Sequence, residues 1–165
     1  MKRWMVWAVA GMLMAPVPAL AQKAFLGFGV NYWRAADDVD VDGIDESGLG
    51  WVVSLTQRDR LLAASLEIEH SPRGRGISTK PVTSPSLIVT TGEFLFVGGG
   101  IGIDYTDGEF ARRPFYDLRA GVRFGALPIP VEVFGSYRYA RWNRPDLGKI
   151  DTDTVTLGVR AYLPF

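Results

Sequence analysis

The sequence contains no cysteine and a single histidine, His70. The first absence excludes a disulfide framework, a thiolate metal site and a cysteine nucleophile. The second excludes any site built from several histidines. Net charge is also missing: 18 basic and 18 acidic side chains cancel. That balance argues against nucleic acid as a partner. No stretch is apolar for long enough to span a bilayer as a helix. Glycine, by contrast, is abundant at 19 residues, and the mean hydropathy of +0.08 is high for a soluble domain. A chain of 165 residues that is 47% hydrophobic is long and apolar enough for one folded domain.

Residues 1–21 read as an export signal. Lys2 and Arg3 form a basic start, Trp4 to Met14 an apolar centre, and Ala19-Leu20-Ala21 a small-x-small cleavage site. The apolar centre is too short to cross a bilayer. A mature chain from Gln22 to Phe165 would lose two positive charges, leaving 16 basic against 18 acidic residues, a net of about −2.

Beyond residue 21, period-2 alternation dominates. It predicts eight strands of about ten residues, over 24–33, 49–56, 61–69, 81–90, 94–105, 115–125, 131–140 and 154–165. The fourth is the least regular, because Pro81 and Pro85 interrupt it. The connections alternate in length. Long loops follow strands 1, 3, 5 and 7, the first of them spanning 34–47. Tight turns such as Thr91-Gly92-Glu93 follow the even strands. Strands of this length with such connections suit an antiparallel up-and-down transmembrane β-barrel of eight strands.

Alternation alone does not say which row is buried, since a soluble barrel and a membrane barrel differ in this. Two patterns favour apolar-out. The polar row carries charge in mid-strand: Glu67, Glu69, Asp104, Asp117 and Glu132 against Arg119, Arg123, Arg138 and Arg160, five acids to four bases. Such charges must pair in a closed lumen. The apolar row is uncharged, and its aromatics gather at the strand ends. Tyr32, Trp33, Trp51, Tyr105, Tyr116, Tyr139 and Trp142 fall at the long-loop end as an interfacial girdle, and Phe25, Phe94, Phe124, Tyr162 and Phe165 at the other. Glycines 27, 29, 50, 98, 100, 102, 121 and 158 lie on the polar row. In a narrow lumen they leave room for long Arg and Glu side chains.

The chain closes on Leu157, Val159, Ala161, Leu163 and Phe165 at every second position, with Tyr162 between. This resembles the C-terminal insertion signal of bacterial outer-membrane barrels, carried here by Tyr162, Leu163 and Phe165. Ala161 and Pro164 depart from its usual residues. With the export signal and the strand count, the whole chain resembles the small eight-stranded outer-membrane barrels, the class of OmpA-type transmembrane domains and the OmpX- and OmpW-like proteins. The resemblance implies the outer membrane of a Gram-negative envelope, a monomer, insertion machinery recognising Phe165, and lipid and lipopolysaccharide as neighbours.

Little in the chain points to chemistry. Some outer-membrane lipid A-modifying enzymes are small barrels, so His70-Ser71 beside Glu67 and Glu69 is a candidate. Adjacent strand residues face opposite sides, however, which separates His70 from Ser71. Asp38, Asp40 and Asp42 before Gly43 match the first half of a calcium loop, but Leu49 stands where the closing Glu belongs. Calcium there would be held weakly, and a solvated acidic loop is the simpler reading. The expected protein is non-enzymatic and cofactor-free, a structural or surface-interaction barrel working through its loops. The alternatives are a narrow, porin-like channel for small or hydrophobic solutes and a soluble periplasmic ligand-binding barrel.

Overall fold

A computed structural model describes residues 23–36, 45–75, 78–125, 128–144, 148–151 and 153–165. The expected export signal, residues 1–21, and the Asp38, Asp40 and Asp42 triplet lie outside them.

The eight barrel strands are β1 (Lys23–Ala35), β2 (Ser47–Arg58), β3 (Leu62–Ser71), β4 (Val82–Thr91), β5 (Leu95–Gly102), β8 (Phe115–Phe124), β9 (Val131–Tyr139) and β12 (Thr154–Pro164). Two short hairpins sit in the long connections: β6 (Tyr105–Thr106) with β7 (Glu109–Phe110), and β10 (Arg141–Arg144) with β11 (Gly148–Asp151). Periodicity did not reveal them, because strands of 2 and 4 residues carry no readable alternation. The first hairpin turns at Asp107 and Gly108, both at positive φ (54° and 81°), as a tight primed turn requires.

Each strand pairs antiparallel with its sequence neighbour in the barrel. β1 closes onto β12 in register from Phe25↔Pro164 to Ala35↔Thr154. β3 pairs with β4 through ten residue pairs, so the sheet has no free edge within the barrel. Pro85 sits inside this ladder without breaking it; its carbonyl accepts the Ile103 amide at 3.0 Å. At the tight β4–β5 turn, Gly92 takes φ 119°, where a side chain would collide with the Leu95 carbonyl.

Burial settles which row faces inward. Leu49 is 71% exposed and Leu118 67%, and Val30, Leu66, Ile68, Val97, Leu157 and Val159 are exposed with them. The inward row is polar. Among the described residues, 22 polar or charged side chains are buried against 11 hydrophobic ones, the reverse of a soluble domain.

Candidate functional site

The lumen is the feature with built chemistry. Its charges come from alternate positions on strands whose partners are fixed by register, and they fall into three layers. Nearest the tight turns, Arg123 faces Glu132 across β8 and β9 and donates Nε to Oε2 at 2.9 Å. Its other nitrogens reach the Gly92 carbonyl at 2.8 Å and Thr90 Oγ1 at 2.5 Å. In the middle, Glu67 accepts Arg119 Nη1 at 3.0 Å on both oxygens and Arg160 Nη1 at 2.5 Å. Asp117 lies 3.5 Å from Arg119 Nε. Nearest the long loops, Glu69 takes Arg138, Arg75 and Asn31, while Asp104 accepts Ser84 Oγ at 2.5 Å and stands 3.5 Å from Arg138.

Every acid in these layers therefore has a base: Glu132 pairs with Arg123, Glu67 and Asp117 lie with Arg119 and Arg160, and Glu69 and Asp104 with Arg138 and Arg75. The sequence showed four lumen bases for five acids. Two further bases join them: Arg58, at the end of β2 over Phe25 and Tyr162, and Arg75, which lies in a loop where alternation assigns no row. Arg75 is 3% exposed, its guanidinium lies on Glu69, and its Nη2 donates to Thr156 Oγ1 at 2.7 Å. Burial and the nearby Arg138 pull the Arg75 guanidinium below its ordinary range, and Glu69 opposes them. The one signal for it in the sequence was the charge shortfall itself.

Aromatic rings form the other half of the lumen. Arg138 lies over Phe115 at 3.8 Å, Arg123 over Phe96 at 4.1 Å and Arg119 over Phe134 at 4.4 Å. A ring on one side and a carboxylate on the other replace the water a guanidinium would otherwise keep. The rings rest on glycines. In register, Phe96 and Phe134 each face Gly121, Phe134 faces Gly158, Phe115 faces Gly102, Trp33 faces Gly48 and Tyr162 faces Gly27. A Cβ at Gly121, Gly102 or Gly158 would run into the ring opposite. The lumen glycines thus seat aromatic rings more than they make room for charged chains. Gly27 does both: a Cβ there would come within 2.9 Å of Arg160 Cδ and 3.0 Å of the Tyr162 ring.

Trp33 corrects the predicted girdle. It is fully buried in the lumen, because it follows the outward Tyr32 and must point the other way. Phe25 and Tyr162 are buried inside too, under Arg58 at 5.1 and 5.0 Å. Tyr32, Trp51, Tyr105 and Tyr116 face outward and exposed, and Tyr139 is half-buried. Phe110 joins them by packing on Tyr105 at 4.9 Å. Of Trp142 only the backbone is described, paired with Ile150. Leu163 and Phe165 point outward at the tight-turn end.

His70 sits at the rim on the outward row. It packs on Trp51 at 5.1 Å, and its Nδ1 is 2.9 Å from Thr83 Oγ1. Ser71 is buried on the opposite face. No nucleophile–base pair forms from these two. Glu67 and Glu69, the nearby carboxylates, are each held by two guanidiniums.

No protein-family model matches the chain. No curated protein shows significant sequence similarity to it. Solved structures do match in fold. Neisserial surface protein A (NspA) aligns with a TM-score of 0.59 at 10% identity, over 86% of this chain and 97% of that one. Ail, the attachment invasion locus protein of Yersinia pestis, aligns at 0.48 and 15% identity, over 87% of this chain and all of that one. The chain has the fold of NspA, a closed antiparallel barrel of eight strands.

Proposed function

We propose that the chain is a non-enzymatic barrel of the outer membrane, its lumen a static plug and its long loops the working surface. The observation that carries this is the inversion of polarity. Bulky aliphatic side chains cover the outside in mid-strand, and paired, ring-stacked ions fill the inside. In water that exterior would be one continuous apolar patch, which soluble monomers rarely expose. In a bilayer it is the matching surface.

The surface role rests on the long-loop end. Arg112 and Arg113 are exposed beside Phe110 and Tyr116, which supports a contact between these cations and lipid phosphates. Lipopolysaccharide and other outer-membrane lipids are the proposed neighbours, and Leu163 with Phe165 the proposed signal to the insertion machinery. The filled lumen favours this reading over a solute channel.

Fractionation tests the location. The protein should remain in outer membranes after salt and carbonate washes, and unboiled samples should migrate differently from boiled ones. Release by salt, with no heat-dependent mobility, would return the chain to the soluble ligand-binding barrels. Planar-bilayer recording tests the plug: silence is expected, and stable conductance steps would establish the channel instead.

A further inference from the structure

Arg75 belongs to the connection between β3 and β4, yet its charge is part of the lumen. Three of its residues hold this connection down. Arg75 reaches Glu69 and Thr156, the latter on the far side of β1 and β2. Ser78, also buried, accepts from Thr106 Oγ1 at 3.2 Å and from the Lys80 amide at 3.0 Å. Lys80 Nζ meets Asp107 at 2.5 Å on the exposed surface. Gly74, at φ 83°, backs onto the Ser78 carbonyl so closely that no side chain fits.

These contacts are not equal. The Lys80–Asp107 pair is more than half exposed and therefore weak. The Arg75–Glu69 pair is fully desolvated, and either partner left alone there is a buried, uncompensated charge. Without Arg75, the layer nearest the loops holds Glu69 and Asp104 against Arg138 alone.

We propose that Arg75 is an electrostatic latch that ties the β3–β4 connection into the lumen, so that the shape of this surface depends on charges buried inside the barrel. The latch couples in both directions. Neutralising Glu69 from within should release the connection as surely as removing Arg75 from without. This holds whatever partner the loops meet.

The absence of cysteine makes the test direct. Thr79 is exposed, so Thr79→Cys carries a spin label with no competing thiol. The labelled barrel is reconstituted in lipid vesicles, with its fold checked by heat-dependent gel mobility. An immobilised label is expected in the wild-type background. Arg75→Gln and Glu69→Gln should each shift most of the spectrum to a mobile component, and the double substitution should add little to either. Lys80→Gln should leave the label immobile. If Arg75→Gln does not fold, Arg75→Lys is read in its place, with a mixed spectrum expected. An unchanged spectrum in the folded Arg75 variant overturns the proposal. So does additive loosening in the double variant, or an equal effect from Lys80→Gln.

Discussion

Glu67 is the residue on which the middle of the lumen converges, since Arg119 and Arg160 both donate to it from strands across the barrel. Glu67→Gln would leave two buried guanidiniums facing a neutral amide. Breaking a buried pair from one side costs about 3–5 kcal/mol, to be read as a lower urea midpoint in vesicles. Breaking the exposed Arg60–Glu93 pair, 3.7 Å apart, should leave that midpoint unchanged. Trp33 and Arg75 escape the sequence pattern for different reasons. Trp33 was assigned to the rim because aromatics collect there, although strict alternation from Tyr32 already places it inside. Parity within a strand is geometry; preference for a rim is only a tendency. Arg75 could not be assigned at all, because no periodicity extends into a loop.

At the scale of strands, glycine position separates two kinds of site. Gly158 is covered by the Phe134 ring from the neighbouring strand. Gly135 faces outward, and a Cβ there would meet nothing closer than the Thr156 carbonyl at 3.8 Å. It lies in a shallow outer groove of about 480 Å³ with Val97, Leu118, Ala120, Tyr137 and Val155. Gly158→Ala should therefore destabilise the barrel by about 1–3 kcal/mol through overpacking. Gly135→Ala should stabilise it by about 0.5 kcal/mol by restricting the unfolded chain. Equilibrium unfolding of the two variants checks both signs at once, and equal effects would remove the ring-on-glycine account. The eight long strands were legible in the sequence to within a few residues at each end. The two loop hairpins were not, because pairings so short are set by their turns and not by patterning.

For the whole molecule, the decisive property is which face meets the solvent. Leu118 stands in mid-strand on the outer surface, 67% exposed. If hydrocarbon surrounds it, Leu118→Arg should cost about 2–4 kcal/mol of folding free energy in a bilayer. On a water-exposed surface the same change should be neutral or favourable. Unfolding in vesicles, compared with Arg113→Leu above the girdle, distinguishes these environments. The side chains that cross the lumen are the reason that, on the proposed reading, conductance is not expected. The passage is occupied by paired ions and rings held from several strands, and opening it would strand charges in a low-dielectric interior.

By itself the sequence determined what is local. Alternation set the strands, their two rows and the alternating long and short connections, because side-chain direction along a strand repeats every two residues. It also showed five acids with too few bases. It could not show which charges meet, because pairing across a lumen depends on closure and register. Glu67 and Arg160 are 93 positions apart, and no pattern along the chain records their approach. The mid-strand charges already favoured a polar interior; only the tertiary structure laid rings on glycines and guanidiniums on rings, and brought Arg75 from a loop onto Glu69. A charge that must be buried has to find its partner wherever in the chain that partner lies.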